Sequence, residues 1–276
     1  MGAFRGGLLL PHPPVLLPEV GGAESEKAVR TRRAVEQAAK SVLTPSVETI
    51  VLMTPHAPRF SDAIAVFDFP YWEGSLAQFG APGVRLAFAG DRDLAGAIVA
   101  AAQKVAAPVA QVTPEDARRH QWPLGLDHGA MVPLAFLAQA GFGGKLVVLS
   151  PGDLGGEAFA QCGRLVRKAI EGTGRAALVV ASGDLSHYVS GASPYGKRPE
   201  GARFDQAVQA AIEHISFDEL LGPAAKRANA AGECGFRPLC FLFGAAADAE
   251  AALLSYEAPF GIGYAVATWR PKEVAS

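Results

Sequence analysis

The feature that most constrains the fold is an alternation of short, wholly uncharged runs with longer amphipathic or alanine-rich segments. The runs over 49–53 (Thr-Ile-Val-Leu-Met) and 176–181 (Ala-Ala-Leu-Val-Val-Ala) carry no charge and no polar stripe. Strands of this kind are buried on both faces, so the sheet needs helices on each side. The sequence therefore predicts one α/β domain over 1–276, with three layers, α/β/α, around a central sheet.

The pattern also predicts the order of the elements. The last two strands flank a Pro-Phe-Gly-Ile-Gly turn and read as antiparallel, which makes the sheet mixed but mainly parallel. A stretch rich in aromatic residues, Gly and Pro, 70–83, is predicted to be a long loop or flap, and such loops are often functional. Strands are predicted over 7–10, 49–53, 63–68, 109–112, 146–149, 176–181, 253–256 and 263–269, and helices over 24–41, 91–106, 129–139, 156–171, 204–213 and 236–247.

Composition excludes several classes of function. Half of the 276 residues are hydrophobic and 19% are charged, which excludes a disordered chain or a coiled coil. The net charge of −2 gives no reason to expect nucleic acid or an anionic membrane as partner. Three cysteines without a CxxC pair indicate a reduced, intracellular protein. No apolar run reaches the roughly 18 residues of a membrane span. We therefore expect a soluble, cytoplasmic protein.

Three of the six histidines share one context, in which an apolar run is followed by a turn and then by the histidine. These are His12, His56 and His187. Ligands of open α/β sheets bind beyond the carboxyl ends of the strands, so the three imidazoles are expected to converge on one cleft. His128, in Leu-Asp-His-Gly before a predicted helix, is a fourth candidate. Converging histidines indicate a metal site.

Glu233, in Ala-Gly-Glu-Cys-Gly-Phe-Arg-Pro, is the best candidate for a carboxylate ligand. Two histidines and one carboxylate with open positions form the arrangement that suits non-haem Fe(II). Two other interpretations remain open from the residues alone. Glu233 is also placed where a helix dipole favours an acid, and Cys234 also fits a small buried hydrophobic residue.

Three further polar residues are candidates for contacts with the substrate or with the ligands. Arg237 either binds an anionic group of the substrate or pairs with an acid at the start of a helix. Asp127 and Asp184 either orient the neighbouring histidines, 128 and 187, as hydrogen-bond acceptors, or cap turns.

Five segments in order resemble a known family. They resemble the catalytic-subunit (LigB-like) branch of the class III extradiol ring-cleavage dioxygenases and, more closely, the related Memo-like proteins known as AmmeMemoRadiSam system protein B. The resemblance extends from residue 8 to about residue 264, and five motifs in order make it specific. The segments are Leu-Leu-Pro-His-Pro-Pro (9–14), Thr-Pro-His-Ala-Pro (54–58), Leu-Asp-His-Gly-Ala-Met-Val-Pro-Leu (126–134), Ser-Gly-Asp-Leu-Ser-His (182–187) and Gly-Glu-Cys-Gly-Phe-Arg-Pro (232–238).

The resemblance implies a LigB-like α/β/α domain with one Fe(II). By the matching motifs, His12 and His56 are the metal-binding histidines and Glu233 is the metal carboxylate. His187 matches the acid/base of the family, and His128 matches a second active-site histidine. Memo-type relatives have a Cys in the region of the third ligand, and here Cys234 adjoins Glu233. A thiolate would favour Zn or Cu.

The function that the resemblance implies is Fe(II)-dependent extradiol opening of a catechol-like ring with O2. Its partners would be a small aromatic diol and O2, and the family suggests a homo-oligomer. Two alternatives belong to other classes. One is a Memo-like metal-binding protein that acts in redox handling or partner recognition without ring cleavage. The other is a metallohydrolase, since a His/Glu site with an open position also activates water.

Overall fold

The structure is a computed structural model that describes residues 3–44 and 46–272. Ten strands and ten α-helices are described there, with short 3-10 turns and one π-helical turn between them. The strands are β1 Ala3–Leu10, β2 Thr49–Met53, β3 Ile64–Phe67, β4 Tyr71–Leu76, β5 Ala81–Ala89, β6 Val109–Val112, β7 Lys145–Ser150, β8 Ala176–Ser182, β9 Glu250–Glu257 and β10 Tyr264–Arg270. The helices are α1 Pro18–Gly21, α2 Val29–Val42, α3 Arg92–Gln103, α4 Pro114–Arg119, α5 His128–Gln139, α6 Gly156–Thr173, α7 Pro199–Glu213, α8 Phe217–Glu219, α9 Ala225–Ala231 and α10 Phe236–Ala245.

Eight strands form one sheet in the order β6-β3-β7-β2-β8-β1-β10-β9. The central four, β7, β2, β8 and β1, are parallel to one another. On one side β3 pairs with β7 antiparallel, and on the other β10 pairs antiparallel with both β1 and β9. The carboxyl ends of β2, β8 and β1 therefore lie side by side at one edge of the sheet.

Two apolar cores cover the two faces of this sheet. In β8, for example, Val179 belongs to one core and Leu178 to the other, because successive side chains of a strand point to opposite faces. The first core also contains apolar residues of α3, α6, α7 and α10, and the second contains those of α2 and α5. Burial on both faces explains why these strands have no polar side, and the predicted three-layer α/β/α class is confirmed.

The region from 70 to 83 was predicted as a long loop, and this prediction is wrong. Strands β4 and β5 form an antiparallel hairpin that stands apart from the main sheet. The hairpin packs on the start of α5 at a glycine: a Cβ on Gly74 would lie 2.6 Å from Sδ of Met131 and 3.0 Å from Cβ of Leu126. The backbone N–H of Leu126 donates to the carbonyl of Glu73 at 2.8 Å.

The predicted elements are otherwise found, with small shifts at their ends. Strands 49–53 and 109–112 have the predicted bounds, whereas the first helix begins with a 3-10 turn over Gly22–Ala28 before α2. The predicted single domain over 1–276 extends into residues outside the described ranges and stays a prediction. Across residues 3–44 and 46–272, none of the helices has the length and apolarity required to cross a membrane.

Candidate metal centre

The candidate site lies at the carboxyl edge of the central strands. His12 follows β1, His56 follows β2, and His187 follows β8, which lies between the other two. The first residue of α5 is His128. The predicted convergence of imidazoles at this edge is therefore what the strand order produces.

His12 and His56 face each other through their ring nitrogens. The two Nε2 atoms are 2.9 Å apart. His56 stacks on His128 with ring centroids 4.2 Å apart, and the rings of His12 and His128 are 5.5 Å apart. Gly129, the second residue of α5, allows this close approach, since a Cβ there would lie 3.0 Å from Cδ2 of His56.

A hydroxyl group fixes the orientation of the His12 ring. Oγ of Ser182 lies 2.8 Å from Nδ1 of His12 and donates its own hydrogen to the carbonyl of Gly129 at 2.5 Å. Because that hydrogen is used on a carbonyl, the hydroxyl oxygen accepts the hydrogen of Nδ1–H. Nε2 of His12 then carries its lone pair on the side of His56, which is the tautomer that a metal ligand needs.

Cys234 lies on the other side of His12. Its Sγ is 3.6 Å from Nε2 of His12 and 4.0 Å from Nε2 of His187. The backbone N–H of Asp184 donates to this sulfur at 3.3 Å, while the carboxylate of Asp184 accepts the backbone N–H of His12 at 3.0 Å. Burial, with the nearby Asp184, raises the pKa of the Cys234 thiol well above its ordinary value.

Within residues 3–44 and 46–272, two groups of side chains have the spacing of a metal site. In each group the candidate ligand atoms lie within 4.8 Å of one another. One group is His12, His56 and His128, and the other is His12, Asp184 and Cys234. His12 is common to both, so the two groups describe one centre seen from two sides.

Glu233, the predicted carboxylate ligand, belongs to neither group. Its Oε2 accepts the backbone N–H of Phe236 at 2.5 Å, so the carboxylate caps the start of α10. Neighbouring residues of a tight turn direct their side chains differently, and in the turn over 232–235 it is Cys234 that faces His12. Burial raises the pKa of Glu233 to about 7. The sequence could not separate these two neighbours.

The other predicted contact residues take definite places. Asp127 caps α5: its Oδ1 accepts from Oγ1 of Thr54 at 2.7 Å and from the backbone of Ala130 at 3.1 Å. The carboxylate of Asp184 supports the backbone at His12. Arg237 lies 4.0 Å from Asp153, and its Nε is buried without a hydrogen-bond partner among the residues that the structure describes.

Loss of solvation keeps the imidazoles of His12 and His56 neutral at pH 7. It lowers the pKa of His12 to about 3, with further lowering by His128 and His187, and it lowers that of His56 to about 3, with further lowering by its histidine neighbours. Burial also lowers the pKa of His187, partly offset by Asp184. Neutral imidazoles at pH 7 present lone pairs and not protons, which is the state that binds metal.

Two exposed aromatic side chains lie beside His187 and His128, and neither was singled out from the sequence. Tyr195 stacks on His187 with centroids 5.5 Å apart and planes at 19°, and Phe79 lies 5.5 Å from the ring of His128. Ser193 holds the loop that carries Tyr195, because its hydroxyl donates to the carbonyl of His187. Stacking partners of this kind leave no periodic signal in a sequence.

Comparison with known proteins shows the family to which this site belongs. Residues 6–267 match the family described as the catalytic LigB subunit of aromatic ring-opening dioxygenase. The chain belongs to this family. The LigB match covers the two facing histidines, the other two histidines and Cys234, and it confirms the resemblance stated from the motifs.

One relative and one solved structure of the same fold are informative for this LigB-family chain. The protein CA_C1420 of Clostridium acetobutylicum is 32% identical over 266 residues, which are 96% of this chain. Those residues are 57% of the relative, so the chain spans little more than half of its length. The crystal structure of the uncharacterized protein JW3007 from Escherichia coli K12 shares the fold, with a TM-score of 0.64 and 17% identity, over 95% of this chain and 98% of that one.

Proposed function

We propose that this LigB-family chain is an Fe(II)-dependent extradiol dioxygenase that opens the ring of a catechol-like diol with O2. The observation that carries the proposal is the pair of facing Nε2 atoms of His12 and His56, 2.9 Å apart, with His128 and His187 around them. Family membership over residues 6–267 supports the general class of aromatic ring-opening dioxygenases.

The residues present fit a metal ion. Two nitrogens bound at about 2.1 Å to one ion lie about 3 Å apart when they are adjacent ligands, which agrees with the separation of the two Nε2 atoms. The hydrogen bond from Nδ1 of His12 to Ser182 leaves Nε2 free for the ion. His12 and His56 would hold the metal, with Cys234 or Asp184 as third ligand.

When bound, the ion would act as a Lewis acid for the diol and bring the diol and O2 together. Neutral His187 offers an acceptor nitrogen for the proton of a diol hydroxyl and can return that proton later in the reaction. His128 offers a second imidazole for a hydrogen bond to a substrate oxygen. The reaction balances without another reductant, because one C–C bond beside the diol breaks and both atoms of O2 enter the ring-opened semialdehyde.

The decisive experiment uses protein purified without oxygen and loaded with Fe(II). O2 uptake and the absorbance of the semialdehyde are measured with catechols, protocatechuates and aminophenols. We expect uptake with at least one diol, and its loss in His12→Ala and His56→Ala. Protein that holds Fe(II) but takes up no O2 with any substrate of the panel would reject the proposed activity.

One observation favours a second candidate function. The sulfur of Cys234 lies 3.6 Å from Nε2 of His12, where the sequence predicted a carboxylate. A thiolate is a softer ligand that prefers Cu(I) or Zn, which suits a metal-binding protein that does not open rings. Metal analysis decides between the two functions. The second function is selected if the purified protein retains Zn or Cu and shows no O2 uptake. In that case Cys234→Ser should abolish the metal binding and Glu233→Gln should leave it intact.

A further inference from the structure

We propose that the cleft beside His56 binds a neutral, ring-sized substituent of the substrate. The preferred diol would then be a catechol extended by an uncharged group, in preference to a bare or carboxylated catechol. The nature of the diol rests on the proposed function, whereas the cleft and its chemistry rest on the observations below.

The cleft is lined by the tip of the β4–β5 hairpin, by the segment 123–127 and by His56 with the two residues after it. Its volume is about 500 Å³, within the range of small-molecule sites. A cavity of about 150 Å³ is sufficient for benzene, so the cleft has room for a ring beyond the diol. The lining residues are His56, Ala57, Pro58, Ser75, Ala77, Gln78, Pro123, Gly125, Leu126 and Asp127.

The chemistry of this lining favours an uncharged group. Five of the ten lining residues have apolar side chains. The polar side chains other than the candidate ligand His56 are Ser75, Gln78 and Asp127. None of these lining residues is Lys or Arg, so a carboxylate of the substrate finds no cation here. Oδ1 of Asp127 already accepts two hydrogen bonds, and an acid at the floor of the cleft disfavours a second negative charge.

An aromatic side chain stands next to the lining. Phe79 follows Gln78 at the hairpin tip, is 36% exposed, and contacts the ring of His128 edge to face. Aromatic rings pair favourably in edge-to-face or offset geometry. Phe79 therefore places an aromatic surface on the ring of His128, next to the cleft but outside its lining.

The walls of the cleft are held in place by close packing. The backbone bond from Leu126 to Glu73 and the contact at Gly74 fix the hairpin on the floor of the cleft. A Cβ on Gly125 would lie 2.9 Å from the carbonyl of Glu73, so this approach is close on both sides. The site is therefore largely formed before a ligand binds, as small-molecule sites usually are.

A small inner recess continues the cleft. It shares Ala57, Pro58 and Leu126 with the cleft and has room for one small group, at about 10 Å³. Trp72 lines the recess, and its indole N–H is buried without a partner among the described residues.

The test measures equilibrium binding without oxygen, on protein loaded with Zn, which has no redox chemistry. Calorimetry compares catechol, 4-phenylcatechol and protocatechuate. Ala77→Trp fills the cleft, and Ala138→Trp is the matched control, because Ala138 lines a separate cavity against the hairpin with Glu19 and Arg85. Gln78→Arg places a cation in the cleft.

We expect 4-phenylcatechol to bind at least tenfold more tightly than the other two diols. Ala77→Trp should remove this preference while catechol still binds, Ala138→Trp should keep it, and Gln78→Arg should improve the binding of protocatechuate relative to catechol. The proposal is overturned if protocatechuate binds most tightly, or if Ala77→Trp leaves the preference unchanged. Gln78→Arg tests for a gain, so misfolding cannot produce its expected result.

The two proposals fail separately in these experiments. Binding with the expected preference but no O2 uptake on the Fe(II) form would reject the dioxygenase and keep the cleft. O2 uptake with catechol, without any preference for the neutral extension, would reject the cleft and keep the dioxygenase.

Discussion

At the scale of single residues, the orientation of His12 depends on a hydroxyl that is not itself a candidate ligand. Ser182→Ala removes the acceptor of Nδ1–H, so the ring is free to change tautomer and to rotate. Loss of such a partner typically lowers metal affinity about 10–100-fold, and we expect this in a Zn titration. Ser186→Ala is the matched control, because Ser186 is also fully buried and donates to a backbone carbonyl, but among the described residues its hydroxyl has no hydrogen bond to a ring nitrogen. Equal losses in the two variants would contradict the role of Ser182.

A second residue-scale prediction concerns pH and Asp205. Burial raises the pKa of this carboxyl to about 7, although it accepts from Tyr256 and from the backbone of Ser186. The native state therefore binds more protons than the unfolded state between pH about 4 and 7, and the free energy of unfolding falls as pH rises through this window. Asp205→Asn should flatten the dependence of the urea midpoint on pH between 5 and 8 in metal-free protein.

Asp68 provides the control for this pH dependence, because its shift has the opposite sign. The hydrogen bond from Arg92 lowers the pKa of Asp68. Its contribution to stability is therefore complete above its unfolded pKa and is lost only under more acidic conditions. Asp68→Asn should lower the urea midpoint by a similar amount from pH 5 to pH 8. A slope for Asp205→Asn equal to that of the wild type would contradict the prediction.

The same scale shows where sequence reasoning stops. The motif around residues 232–238 identified the turn beside His12 but not which of its side chains faces His12, because Glu233 and Cys234 are neighbours and only backbone direction separates them. The hydrogen bond between Ser182 and His12 could not be predicted either, because it joins residues 170 positions apart. Ser182 belongs to one of the family motifs, but the sequence assigned it no function.

At the scale of elements, the position of the hairpin depends on Gly74. A Cβ there would meet Sδ of Met131 at 2.6 Å and Leu126 at 3.0 Å. Gly74→Val should lower the free energy of unfolding by about 1–3 kcal/mol, as overpacking usually does, and weaken binding in the cleft beside His56. Gly83→Val in β5 is the control, since a Cβ at Gly83 meets nothing within 4 Å. Urea unfolding of both variants checks the prediction, and equal destabilisation would contradict it.

The elements also differ in how far the sequence predicts them. Strands such as β2 are buried on both faces and have continuous apolar runs, so their bounds follow from the sequence. The hairpin strand β4 has an irregular burial pattern, and Gly74 lies within it. A hairpin that lies outside the main sheet and is stabilised by packing on α5 therefore has a sequence pattern typical of a loop.

At the scale of the whole molecule, strand order creates the candidate site. The order β2-β8-β1 places His56, His187 and His12 at neighbouring strand ends although the chain separates them by up to 175 positions. The sequence predicts which residues end strands, and the general rule for α/β sheets predicts that ligands bind there. Strand order itself comes from packing between distant parts of the chain, so it became known only from the structure.

This long-range assembly predicts a coupling between metal binding and global stability. The candidate ligands His12, His56 and Cys234 come together only in the native state, so an ion that binds them stabilises that state over the unfolded chain. Metal at about 100 times its Kd should add about 2.7 kcal/mol to the free energy of unfolding, which corresponds to a rise in Tm of several degrees for a chain of this size. Calorimetric scans with and without Zn measure the rise. His12→Ala should abolish it, whereas exposed His120→Ala should keep it. A rise in Tm that survives His12→Ala would place the bound metal elsewhere and remove the physical basis for a centre at the ends of β1 and β2.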